Sequence, residues 1–280
     1  MSKALVWLRR DLRLHDHAAL HHALRSHQEV WIAFIFDTTI LDPLLKKGLG
    51  FDRRVDFLWQ CAHELDQTLR SHGGGLLVRH GDPTELIPKL AEQLKVDCVL
   101  SNHDYEPSAI QRDQSVATIL SKKNIQFEHF KDQVIFEKTE VLTNSQTVFS
   151  VFTPYKNAWL KRLTPADLEP HACELGTKGL IGHFAPIPKI LDQALPALES
   201  MGFKPTGIES YLPPGPQGAE LFLNDFLKRI DQYNIGRDFP AIKGVSYLST
   251  YLRFGNVSIR GLVREAHRRM LAGSLGASIW

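Results

Sequence analysis

The stretch from Tyr233 to Arg260, YNIGRDFPAIKGVSYLSTYLRFGNVSIR, gathers hydroxyl side chains and chain breaks at a spacing suited to holding an anion. Pro240 stops a helical run, Gly244 permits a tight turn, and Ser246 stands where an N-cap would precede Leu248 and Leu252. Gly255 is placed to end that short helix. Ser258 is placed to cap the next, whose apolar residues Ile259, Leu262, Val263, Ala266 and Met270 recur at helical spacing. The first turn of a helix carries N–H groups without intrahelical partners and the positive end of the backbone dipole. A diphosphate can therefore lie across Ser246 to Ser249. Spacing alone leaves a second reading open, two capped helices in an ordinary bundle.

Other chemistry is less well supported. His17 and His21 have the i, i+4 spacing of metal ligands, but no third ligand or Glu-x-x-His pattern accompanies them. With His15 and His22 they read as a solvated helix face. Arg260, Arg264, His267 and Arg268 form a basic stripe opposite the apolar residues of their helix and also read as solvent-facing. Cys61, Cys98 and Cys173 are odd in number and lack paired spacing, which predicts buried, reduced thiols and a cytoplasmic setting. No GxSxG, Walker A or GxGxxG pattern occurs.

The elements that must position these residues change character along the chain. Residues 1–131 alternate short apolar strands (4–8, 30–36, 76–79, 98–101 and 126–130) with helical spacing, as in Val55, Leu58, Ala62, Leu65 and Leu69. Repeated strand–helix units predict an α/β, Rossmann- or flavodoxin-like domain with a five-stranded parallel sheet. Its strand order reverses once, and a crevice at the strands' carboxyl ends is lined by Arg9, Asp37 and Asn102. From 132 to 218 prolines multiply and periodicity fades, so this stretch reads as a linker packed on the first domain. Residues 219–280 return to helical spacing. The chain's 280 residues are 43% hydrophobic, enough for such cores, and its net charge of +2 gives no global field for nucleic acid, so any such contact must be local. No apolar run reaches membrane-spanning length and no signal-peptide pattern opens the chain, so no membrane partner is expected.

Three ordered stretches resemble the DNA photolyase and cryptochrome family, most closely its bacterial cyclobutane pyrimidine dimer photolyases. They are ALVWLRRDLRLHDHAAL (4–20), VFTPYKNAWLKRL (151–163) and the segment from Tyr233 to Arg260. The resemblance implies FAD as cofactor, UV-damaged DNA as partner, a monomer, and light-driven splitting of pyrimidine dimers by electron transfer from the reduced flavin. The alternative is a cryptochrome-like flavin photoreceptor without repair activity. By resemblance, Tyr233, Val245, Ser246, Tyr247, Leu248, Ser249 and Trp280 are flavin-contacting and Arg237 contacts DNA. The family's helical flavin domain continues past the position matching Trp280. These residues therefore correspond to its N-terminal portion, with no catalytic residue among them, and alone they are expected neither to hold FAD nor to repair DNA. Leu248, Leu252, Phe254, Leu262, Met270 and Ile279 would then lack packing partners.

Relatives also carry a second, light-harvesting chromophore in the first domain, a folate or a deazaflavin or flavin. Ser108 and Ala109 stand where folate-binding relatives carry an amide and a carboxylate. Asp37, Arg53, Arg54, Asn102 and Asp104 are the residues the resemblance offers as its liners.

Overall fold

The computed structural model describes residues 2–280. In chain order it contains β1 (Lys3–Leu8), α1 (Ala18–Ser26), β2 (Glu29–Asp37), α2 (Thr38–Lys46), α3 (Arg53–Ser71), β3 (Leu76–Gly81), α4 (Pro83–Leu94), β4 (Cys98–Asn102), α5 (Pro107–Ser121) and β5 (Gln126–Phe130). Then follow α6 (Phe152–Arg162), β6 (His183–Phe184), α7 (Gly215–Leu227), α8 (Tyr233–Gly236), α9 (Ser249–Phe254), α10 (Ile259–Leu271) and α11 (Leu275–Ile279).

The sheet order is β3-β2-β1-β4-β5 with every pairing parallel, so the order reverses once, between β1 and β4. Successive strand residues point to opposite faces, and the cores divide accordingly. Val6, Ile32 and Phe34 pack with Leu20, Leu24, Leu65 and Leu69 of α1 and α3, while Leu5, Trp7, Ala33 and Ile35 pack with Leu90, Ala91, Val116 and Leu120 of α4 and α5. Because both faces are covered, β2 is buried almost without interruption rather than alternating. Helix starts are set locally: the side chains of Asp52 and Asp82 accept from Arg54 N and Thr84 N, and Pro83 occupies the first turn of α4.

The proline-rich stretch contributes a sixth strand that the sequence pattern does not show. β6 is two residues long and pairs parallel with the start of β2 at Glu29 and Val30. Trp31 Nε1 donates to Pro186 O at 3.1 Å and Trp59 Nε1 to Pro196 O at 2.8 Å, so the proline-rich stretch is tied down by donors from the sheet domain.

Residues after 218 share the core of the sheet. Ala219, Leu248, Tyr251 and Leu262 belong to the same buried cluster as Val6 and Ile32. Tyr251 packs edge-on against Phe57 at 5.7 Å and its hydroxyl donates to Pro213 O at 2.8 Å. Leu248 and Leu262, expected to lack partners, are thus buried, and Phe254 packs against Phe57. Leu252 and Ile279 are exposed.

Two polar groups read as solvent-facing are buried, Arg260 in a charge cluster between the sheet and α10 and His17 against Asp11 at the start of α1. Arg260 donates to Asp16 Oδ1 at 2.9 Å and to Asp132 Oδ1 at 2.7 Å, and Arg13 donates to Asp132 Oδ2 at 2.6 Å. Ser258 caps α10 as expected and its hydroxyl donates to Asp16. His17 is fully buried and is itself the N-cap of α1, with Nδ1 accepting from Leu20 N and Nε2 bonded to Asp11 at 3.0 Å. Among the described residues no group of three or more His, Cys, Asp or Glu is arranged to hold a metal, and no helix is long and apolar enough to cross a membrane.

Candidate functional site

The reversal between β1 and β4 opens a crevice at the carboxyl ends of the strands, where the flanking connections part to opposite faces. Its volume is about 270 Å³, and Trp7, Asp37, Asp104, Arg112 and, from the helical segment, Arg253 and Phe254 are among its lining residues. Asp37 ends β2 and caps α2, with Oδ1 accepting from Thr39 N at 2.8 Å and from its hydroxyl at 2.6 Å. Its other oxygen, Oδ2, is buried without a hydrogen bond, with Arg112 Nη1 3.6 Å away. A buried carboxylate oxygen left unbonded is costly, so this atom is the strongest local sign of a missing donor.

The remaining charge around the crevice is largely committed. The guanidinium groups of Arg9 and Arg112 lie over the Trp7 ring at 4.7 and 4.9 Å. Arg9 also donates to Asp113 at 2.6 Å and to Asn102 O. At the mouth, Glu106 Oε1 accepts from both Arg10, at 2.8 Å, and Arg253, at 3.0 Å; the Arg253 bond foremost, then Arg10, holds its carboxyl below the ordinary range.

Of the proposed liners, Asp37 and Asp104 face the crevice and three do not. Asn102 lies beneath it, with Nδ2 donating to Asp11 at 2.7 Å and Oδ1 accepting from Ala19 N at 3.0 Å; it joins β4 to α1 rather than meeting a ligand. Arg53 and Arg54 are exposed at the start of α3, and Arg54 turns back to its own cap, Asp52. Arg112, Trp7, Glu106 and the α9 residues were missed. Ser108 and Arg112 sit i, i+4 on α5, which immediately follows β4, and that spacing was the available signal for Arg112.

The second candidate surface is the loop before α9. Helix α9 begins at Ser249 with Leu248 in the cap position, and Ser246 caps nothing: Tyr247 takes a left-handed backbone, φ 57°, which delays the helix start by two residues. The N–H groups of Val245, Ser246, Tyr247 and Leu248 and the hydroxyls of Ser246 and Ser249 make no hydrogen bond among the described residues. Gly236 and Gly244 meet closely, backbone to backbone, which holds this loop beside α8. On α8, Tyr233 packs edge-on against Phe226 at 5.7 Å, and Trp280 tilts onto the same ring at 4.9 Å. Arg237 is exposed, over the Tyr233 ring and 3.5 Å from Asp238. The structure thus brings Tyr233, the loop and Trp280 to one end of the helical segment, with the loop's Leu248 turned into the core.

A model of the DNA photolyase family matches residues 4–174, which takes in β1 to β5 and ends before β6. The chain belongs to the DNA photolyase family. The deoxyribodipyrimidine photo-lyase of Synechococcus sp. (strain ATCC 27144) is 34% identical over 265 residues, covering 94% of this chain and 53% of that protein. An uncharacterised 31.6 kDa protein of Synechococcus sp. (strain PCC 6716) is 32% identical, covering 91% of this chain and 86% of its own length. Among solved structures, a class III photolyase from Agrobacterium tumefaciens superposes with a TM-score of 0.78 at 25% identity, covering 95% of this chain and 53% of that one. This photolyase-family chain therefore spans about half the length of the photo-lyases it matches.

Proposed function

We propose that this chain supplies the antenna domain, residues 1–131, the linker, 132–218, and the opening of the flavin domain, 219–280, of a cytoplasmic, light-dependent deoxyribodipyrimidine photo-lyase acting on UV-damaged DNA. The observation that carries the reading is the 265-residue alignment with a photo-lyase at 34% identity, which covers 94% of this chain and so runs through both the sheet and the helical segment.

The residues present fit two cofactors, each in part. Unbonded N–H groups and hydroxyls at 245–249 suit an FAD diphosphate, with Tyr233 and Trp280 beside them, and the bound flavin would supply the light-driven electron. The chain's own part is to grip the phosphates and close one edge of the pocket. In the crevice, the orphan Oδ2 of Asp37 suits a second, planar chromophore with an N–H group. Exposed Arg237 offers a guanidinium to a DNA phosphate, fixing position without reading sequence.

A chimera in which these 280 residues replace the matching part of the Synechococcus photo-lyase tests the reading. It should hold FAD and split cyclobutane dimers under blue light, and Ser246→Ala with Ser249→Ala should lower flavin occupancy. A folded, colourless chimera would reject the flavin-loop assignment. One that holds FAD but leaves dimers intact in the light would reject the repair reading in favour of a photoreceptor.

A further inference from the structure

A second cavity, of about 450 Å³, adjoins the crevice on the side of α9 and α10, and Leu252, Val257, Ile259, Val134 and Gln133 help to line it. Three side chains, Arg10, Asp104 and Glu106, line both cavities and so form the wall between them. That wall is built of ion pairs, buried at Asp104 and exposed at Glu106 and at its second partner, Arg253. Arg10 reaches Glu106 at 2.8 Å and Asp104 at 3.5 Å, and Glu106 reaches Arg253 at 3.0 Å, with the Glu106 and Arg253 side chains each 53% exposed. Ion pairs at that exposure hold weakly, and a glutamate side chain swings out at little cost. By contrast Arg13, on the far wall, is fixed by Asp132 and three carbonyls and is not free to bind anything else.

Size and charge point the same way. The crevice alone, about 270 Å³, lies below the roughly 300 Å³ at which pockets begin to enclose a cofactor-sized molecule, whereas crevice and cleft together lie well within the range. Two guanidinium groups converge on one oxygen of Glu106. A phosphate, with three oxygens, serves both without crowding and binds guanidinium strongly. We propose that crevice and cleft form one two-part site, in which a planar aromatic head gives an N–H to Asp37 while a phosphate on its tail displaces Glu106 and takes Arg10 and Arg253. The proposal rests on the chromophore reading of the crevice and adds the tail's chemistry, the residues that select it and the movable partition.

Riboflavin and flavin mononucleotide test it directly, since they share the head and differ by one phosphate. Each is titrated into the 280-residue chain and followed by flavin fluorescence. The mononucleotide should bind about tenfold more tightly at low salt, the scale of one charge-assisted contact. That advantage should shrink as salt rises, fall toward one in Arg10→Gln and Arg253→Gln, and grow in Glu106→Gln, where the competing carboxylate is gone. The readout is the ratio of the two affinities within each variant, so a change common to both flavins does not disturb it. Equal binding by the wild-type chain, or an advantage that survives loss of both arginines, overturns the phosphate subsite while leaving the head site intact. If neither flavin binds, the crevice reading fails and the subsite with it.

Discussion

Arg260→Met probes the contact on which the joining of α10 to the sheet depends. The guanidinium is buried and serves two carboxylates at once, Asp16 at 2.9 Å and Asp132 at 2.7 Å, and also donates to the Asp16 carbonyl at 2.7 Å. Methionine conserves much of the volume, so the loss is mainly electrostatic: Asp132 keeps Arg13, but Asp16 is left with only the Ser258 hydroxyl and the His171 N–H. Removing one member of a buried ion pair costs about 3–5 kcal/mol, which for a chain of this size lowers the melting temperature by roughly 10 °C. Urea and thermal unfolding followed by tryptophan fluorescence give both quantities. Arg268→Met is the control, since Arg268 pairs with Glu265 on the exposed face of the same helix and its loss should leave the unfolding midpoint almost unchanged. Equal small losses in the two variants, or a wild-type chain in which residues beyond 218 melt separately, would refute the reasoning, because the shared core predicts one transition.

Three further outcomes follow from the geometry. Gly255→Ala should destabilise by more than about 1 kcal/mol in the same urea assay, because Gly255 has φ 67° and an added Cβ would strike the Arg10 carbonyl and the Asp11 backbone. Acid should weaken the fold in two stages measurable by urea midpoints at stepped pH. Burial pushes His129 and His171 down to about 4, so the unfolded chain binds more protons between pH 6.5 and about 4, and stability falls as pH drops through that window. Asp132 is held below 3.8: burial raises it, but Arg13, His17 and Arg260 together outweigh that, so its contribution is present above 3.8 and is lost only below it. His129→Gln with His171→Gln should flatten the first stage and spare the second. Finally, Cys61, Cys98 and Cys173, each buried and pushed up to about 12 by burial, should ignore a thiol reagent at pH 8 until the chain is unfolded.

The sheet was legible because its information is local. Apolar runs of strand length, with Asp52 and Asp82 beginning helices between them, set every strand of the main sheet to within two residues. The caps at Gly255 and Ser258 were legible for the same reason. What escaped depends on partners far along the chain. Arg260 and His17 look solvated until Asp16, Asp132 and Asp11 are brought to them, and Asn102 looks like a strand-end ligand until its amide is seen to join two elements. Ser246 failed as a cap because Tyr247 turns left-handed, which hydropathy spacing does not record. β6 is too short to leave a pattern.

The charge cluster under α10 also sets a clock. Asp16 and the Ser258 hydroxyl that bonds to it are separated by 242 residues, as are Arg13 and the Gly255 carbonyl it reaches. A ribosome adding roughly 5–20 residues per second needs about 10–50 s to supply the second partner after the first. During that interval Asp16 is without Ser258 and Arg260, and the sheet must collapse on the partners already made, Leu20, Leu24, Leu65 and Leu69 among them. The nascent chain therefore passes through a state whose α/β core is formed while its helical flank is still unmade. In that state Asp132 already has Arg13 to pair with, whereas Asp16 waits for Ser258 and Arg260, so the two carboxylates are neutralised in an order set by the chain itself.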